Sequence, residues 1–77
     1  MNMPSESGSQ SRPISVRLDD FLKLQGLVGT GGEAKVRIQA GEVKVNDMVE
    51  TRRRKQLSEG DRIEFDGNDY LVELNDL

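Results

Sequence analysis

The hydrophobic spacing of the chain changes at Gly41, and this change constrains the fold more than any other feature of the sequence. Before Gly41, apolar residues recur every three or four positions, as they do on one face of an α-helix. After it, apolar and polar residues alternate, which is typical of strands with one buried face. Helices followed by short strands predict an α+β domain with two helices ahead of a small antiparallel sheet.

Two short helices are predicted, and a glycine ends each of them. The first is capped by Asp19, covers residues 19–25 and stops at Gly26. The second covers residues 32–40 and stops at Gly41. Glycine is the preferred residue just beyond a helix because it adopts the left-handed conformation without steric cost.

The second helix is apolar on two sides. At about 100° per residue, Ala34 and Ile38 share one side, while Val36 and Ala40 lie nearly opposite. We therefore expect this helix to be wedged between the first helix and the sheet.

The turn after Val45 can have two lengths. A two-residue loop would pair Val45 with Met48. A three-residue loop would pair Val45 with Val49, and it would also bring Lys44 opposite Glu50. The longer loop places apolar residues together and opposite charges together, so we predict the three-residue loop.

Composition excludes several classes of protein. The 77 residues contain no cysteine, histidine or tryptophan, so disulfides, thiolate or imidazole metal sites and nucleophile–histidine pairs are excluded. We expect no cofactor, no metal and no enzymatic activity. Residues 1–12 are predicted to form a flexible tail, and residues 13–77 a single domain.

Charge is distributed unevenly along the chain. The net charge is −3, but residues 33–55 carry seven cations against four acids, and residues 56–77 carry one cation against seven acids. Because salt screens charges beyond about 8 Å, a local basic patch can attract a polyanion on an acidic chain.

The basic segment predicts nucleic-acid binding. Lysine and arginine supply phosphate contacts, the glycine-rich start of the second helix supplies free amides for a phosphate, and an asparagine at the hairpin tip supplies a polar contact. The predicted binding residues are Thr30, Gly31, Gly32, Lys35, Arg37, Lys44, Asn46, Arg52, Arg53, Arg54 and Lys55.

Five short runs of sequence resemble the RNA-binding domain named after ribosomal small-subunit protein S4, which is also called the alpha-L motif. The runs cover residues 17–22, 31–35, 41–46, 50–52 and 59–65. The resemblance is strongest to small bacterial members that consist of little beyond the domain. It differs at Asp47, where the family usually has glycine after the asparagine.

The resemblance implies a bent sheet behind the two helices and a structured RNA partner, with ribosomal RNA or a ribosomal subunit expected, in the cytoplasm. It places Lys35 and Arg37 on the RNA-facing helix, Lys44 and Asn46 on the hairpin, and residues 52–55 on the basic stretch after it.

Two other functions are consistent with the residues. The chain could be a protein-interaction adaptor in ribosome or ribonucleoprotein assembly, or a DNA-binding accessory factor, which shares every electrostatic feature. We expect a monomer with no membrane partner.

Overall fold

Two helices pack with two antiparallel sheets in the computed structural model, which describes residues 15–76. The α+β architecture predicted from the sequence is confirmed. The tail predicted over residues 1–12 lies outside the described residues. The elements are β1 (Ser15–Arg17), α1 (Leu18–Leu24), α2 (Gly31–Gln39), β2 (Val43–Val45), β3 (Met48–Val49), β4 (Gln56–Ser58), β5 (Arg62–Phe65), β6 (Asn68–Leu71) and a final 3-10 turn (Leu74–Asp76).

The strands form two sheets. β1 pairs with β4, so the segment before α1 is joined to the segment after the second hairpin strand. The other four strands form a sheet in the order β3-β2-β5-β6, and every pairing is antiparallel. Neither helix within residues 15–76 is long and apolar enough to cross a membrane.

A single core joins the helices to both sheets. The apolar residues that recur at helical spacing on α1, Leu18, Phe21 and Leu22, form a buried stripe. Alternate residues of β2 and β5 face the same interior. The largest buried side chains are those of Phe21, Phe65, Leu18, Leu22, Ile38, Leu57, Ile63, Val43 and Val72.

The helix ends differ by one residue from the prediction. α1 begins at Leu18 with Arg17 as its N-cap, so Asp19 lies inside the first turn and is not the cap. Gly26 has φ +74° and follows α1 as expected. Its N–H donates to the Lys23 carbonyl, and the Leu27 N–H donates to that of Leu22. These two bonds form the Schellman motif that ends many helices.

The predicted wedge position of α2 is wrong. Ala34 and Ile38 are fully buried, whereas Val36 is 64% exposed and Ala40 is also exposed. The reason is that α1 and the sheets share one core on one side of α2, so the helix buries a single face.

The predicted three-residue hairpin loop is also wrong. Val45 pairs with Met48, which leaves Asn46 and Asp47 as a two-residue loop. Both have positive φ, at 51° and 73°, as a type I′ turn requires. Asn and Asp tolerate this conformation better than other non-glycine residues, and the turn matches the strand twist. Cross-strand pairing of like residues did not outweigh this turn geometry.

We expect Gly26→Ala to lower the free energy of unfolding by about 1–2 kcal/mol, because alanine is strained at positive φ. Gly31→Ala is the matched control, since a Cβ there would meet no atom within 4 Å and the residue lies in the first turn of α2. Urea unfolding of both variants measures the difference. Equal losses would contradict the assigned role of Gly26.

Candidate nucleic-acid interface

The cations at residues 52–55 form a loop between β3 and β4, which we call the basic loop. Its main chain is fixed to the start of α1: the Leu18 N–H donates to the Lys55 carbonyl at 2.8 Å, and the Asp19 N–H donates to the Arg53 carbonyl at 2.9 Å. α1 has no side-chain cap, and its first amides need acceptors. The loop carbonyls supply them, so the loop has a defined position.

Asp19 is a buried carboxylate beside the basic loop, with 3% of the residue exposed. It accepts two hydrogen bonds from the Arg17 guanidinium, at 2.7 and 3.1 Å, and one from the Asp20 N–H at 2.8 Å. The Arg17 hydrogen bonds hold the pKa of the Asp19 carboxyl below its ordinary value, and the charges of Arg17 and Arg53 lower it further. Burial opposes this shift but does not reverse it.

Glu50 is a second carboxylate against the loop, and its side chain is 13% exposed. It accepts hydrogen bonds from the Arg52 N–H, Nε and Nη2 at 3.0, 2.9 and 3.2 Å. These bonds, with the charges of Arg52 and Lys55, lower the pKa of Glu50 to about 2. A carboxylate therefore holds the first residue of the basic loop.

The arginines and lysines of residues 15–76 divide into two groups. Arg17, Arg37, Arg52 and Arg62 form ion pairs with carboxylates. The cations that form no ion pair with another described residue are Lys23, Lys35, Lys44, Arg53, Arg54 and Lys55. Three consecutive members of this second group lie in the basic loop.

The Arg37 side chain makes its contacts with other residues of the fold. Its guanidinium lies over the Phe65 ring, 4.6 Å from the centroid. It also donates to Asp66 from Nη2 at 2.8 Å and to Glu42 from Nε. These contacts join α2 to the end of β5 and the turn that follows it. Lys35, on the same helix, is exposed.

Asn46 supports the hairpin from within. Its Nδ2 donates to Asp61 at 3.1 Å, and its Oδ1 accepts from the Arg62 N–H at 2.9 Å. Asp47 forms an ion pair with Arg62. The polar side chains of the hairpin tip are therefore bonded to β5 and the turn before it.

The glycine-rich corner at Thr30, Gly31 and Gly32 lies between two amides that already bond within the fold, those of Gly29 and Glu33. Thr30 Oγ1 accepts from the Glu33 N–H at 3.0 Å. The Glu33 carboxylate accepts from the Gly29 N–H at 2.9 Å. The corner therefore already holds a carboxylate, which would repel a phosphate.

Lys44 lies on the outer face of β2, with Glu64 as its partner on β5 and Val49 as its partner on β3. Lys35 lies on α2. The structure therefore brings residues 52–55 together in one loop, whereas Lys35 and Lys44 stand on two other elements.

Three residues at the loop were missed by the sequence analysis. Gln56 lines an open depression together with residues 52–55, and Asp19 and Glu50 lie against the loop as counter-ions. The close spacing of Glu50 and Arg52 is a signal that could have been used. The approach of Asp19 depends on a contact between distant segments and has no local signal.

The sequence model of the S4 domain family matches residues 10–73, which are most of the chain. The chain belongs to the S4 domain family. This S4 domain is 42% identical to YbcJ of Escherichia coli (strain K12) over 57 residues, which cover 74% of this chain and 81% of YbcJ. It is 39% identical over 62 residues to RlbA of Bacillus subtilis (strain 168), named as a probable ribosome maturation protein, covering 74% of this chain and 87% of RlbA.

Two solved structures share the fold of this S4 domain. The solution structure of YbcJ from E. coli has a TM-score of 0.61 at 38% identity, covering 82% of this chain and 80% of YbcJ. It is reported to reveal an alphaL motif involved in RNA-binding. The crystal structure of 30S ribosomal protein S4e from Thermoplasma acidophilum has a TM-score of 0.62 at 28% identity. The match covers 79% of this chain and 32% of S4e. The alpha-L architecture expected from the sequence is thereby confirmed.

We expect Glu50 to make stability depend on pH. Its pKa is about 2 in the folded state against 4.5 ordinarily, so its contribution is present above about pH 4.5 and is lost as the pH falls toward 2. The difference in the free energy of unfolding between the native protein and Glu50→Gln should therefore be larger at pH 6 than at pH 2.5. Urea unfolding at both values measures it, and a difference that does not change with pH would contradict the ion pair.

Proposed function

We propose that this S4 domain is a non-catalytic module that binds structured RNA, with ribosomal RNA as the RNA class, and that the basic loop is the centre of the contact. The proposal rests on two properties of the side chains and main chain of Arg53, Arg54 and Lys55. They form no ion pair with other residues of the described chain, and their main chain is fixed by α1. Cations held in this way can be matched by phosphates without reorganising the loop.

The scarcity of aromatic residues favours a structured partner over a single strand. The sequence has three aromatic residues. Phe21 and Phe65 are buried, and Tyr70 is partly buried against the core. Single-stranded nucleic acid is usually held by bases stacked on exposed aromatic rings. We therefore propose that the domain contacts the backbone and shape of a folded RNA.

The relatives support a ribosomal setting. YbcJ has a motif reported as involved in RNA-binding, RlbA is named for ribosome maturation, and S4e is a protein of the 30S subunit. By analogy with these proteins, we propose that this domain acts in the cytoplasm on ribosomal RNA or a ribosomal particle.

Lys35 and Lys44 extend the proposed contact beyond the basic loop. Together with Arg53, Arg54 and Lys55 they give five cations that form no ion pair with another described residue. Arg37 and Asn46 contribute less in this proposal, because their polar groups already bond within the fold. The glycine corner also contributes less, because the Glu33 carboxylate beside it would repel a phosphate. Arg52 is paired with Glu50 and adds no net charge.

The affinity for a structured ribosomal RNA fragment should fall steeply with salt. Neutralising about five phosphates gives a slope of about −3.5 to −4.5 in a plot of log affinity against log salt. The triple variant Arg53→Gln, Arg54→Gln, Lys55→Gln should flatten this slope by about 2 to 3. Filter binding at several salt concentrations measures both slopes.

A charge-matched control separates a local contact from the effect of net charge. Lys23→Glu with Asn75→Asp lowers the net charge by the same three units on exposed residues outside the proposed contact. We expect this control to keep the native slope.

An unchanged slope in the triple variant would show that the basic loop is not at the interface. Binding that is insensitive to salt would favour a protein-docking role instead. Competition with duplex DNA tests the preference for RNA.

A further inference from the structure

We infer that Glu50 is a positioning residue for RNA binding: its carboxylate fixes the Arg52 guanidinium and one end of the basic loop, so that the loop meets RNA in a preformed shape. This inference rests on the proposed function and goes beyond it, because it assigns a binding role to an acidic residue at a contact made with a polyanion.

The hydrogen bonds of Glu50 determine where the loop begins. The carboxylate accepts from both the main-chain N–H and the guanidinium of Arg52. The Glu50 N–H donates to the Val43 carbonyl at 2.9 Å, which fixes Glu50 itself to β2. The loop then closes on itself, because the Lys55 N–H donates to the Arg52 carbonyl at 3.1 Å. The sheet therefore holds Arg52 through Glu50.

The bound guanidinium retains most of its donors. Arginine has five side-chain N–H groups, and Glu50 accepts one from Nε and one from Nη2, which leaves three. The side chain of Arg52 is 70% exposed, whereas that of Glu50 is 13% exposed. The Glu50 carboxylate therefore holds the Arg52 guanidinium in one orientation, and the remaining N–H donors of Arg52 are accessible to solvent. An arginine ordered in advance loses less conformational freedom when it binds a phosphate.

Charge and positioning predict opposite effects of removing this carboxylate. If only charge matters, Glu50→Gln removes an anion next to the RNA contact and strengthens binding. If Glu50 positions Arg52, the same change releases the arginine and the loop, and binding weakens although the protein has become more positive. The sign of the effect therefore distinguishes the two accounts.

The first test compares Glu50→Gln with Glu64→Gln, which removes a carboxylate of the same type from the outer face of β5. The probe is the structured ribosomal RNA fragment of the salt experiment, used at a temperature where unfolding curves show every variant to be folded. We expect Glu50→Gln to weaken binding by about three- to tenfold and Glu64→Gln to leave it unchanged or tighter. Equal or tighter binding by Glu50→Gln would overturn the inference.

The second test keeps the charge and changes only the geometry. Arg52→Lys cannot form the forked contact with Glu50, so it should weaken binding by a similar factor while the salt slope stays the same. Arg62→Lys is the control, because it makes the same change at an arginine that pairs with a carboxylate outside the proposed contact, and it should change affinity less than twofold. Equal effects of the two lysine variants would contradict the role of Glu50.

A spectroscopic measurement tests the positioning without RNA. The Arg52 Nε–H should give a slowly exchanging resonance in the free native protein, and Glu50→Gln should abolish it while the backbone spectrum stays dispersed. A rapidly exchanging Nε–H in the native protein would overturn the inference.

If the native protein binds RNA with the expected slope but Glu50→Gln does not weaken binding, the proposed function stands and this inference fails. If the native protein does not bind RNA, both fail.

Discussion

The position of the basic loop depends on the hydrogen bonds that the first amides of α1 donate to it. Leu18 is fully buried and Asp19 is nearly so, and an unpaired buried amide costs about 1–3 kcal/mol. The N-cap residue Arg17 supplies no side-chain acceptor, and the carbonyls of Lys55 and Arg53 accept from the amides of Leu18 and Asp19. The pairing of β1 with β4 keeps the two distant segments side by side. The start of α1 and the basic loop are therefore held by the same hydrogen bonds, and the requirement for capped amides gives the cations their position.

The carboxylates determine which cations remain available. Arg17, Arg37 and Arg62 are each matched by an acid and connect elements of the fold. The acids are concentrated in residues 56–77, where seven face one cation. Among the described residues, one of these acids, Asp66, pairs with an earlier arginine, Arg37, and none of them pairs with Arg53, Arg54 or Lys55. An acidic protein can in this way present a small basic surface at physiological salt, because screening limits the reach of the distant acids to about 8 Å.

The sequence predicted those parts of the fold that local rules determine. The apolar stripe of α1, the stop at Gly26 and the alternation in β5 follow from spacing and from the conformational freedom of glycine. The hairpin loop was wrong because the tolerance of Asn46 and Asp47 for positive φ outweighed side-chain pairing. The exposure of Val36 could not be predicted, since periodicity does not reveal which face has a neighbour. At the candidate site, the cations were visible in the sequence, and the spacing of Glu50 and Arg52 was a local signal. The position of Asp19 beside the loop depended on a contact between distant segments.

Amide hydrogen exchange at the start of α1 tests the central claim most directly. In the free protein, the Leu18 and Asp19 amides should exchange as slowly as amides of the core strand β5, because they are buried and bonded to the loop carbonyls. Exchange of both at the rate of an unstructured chain, with β5 still protected, would show that the basic loop is not held by the helix and would contradict this account.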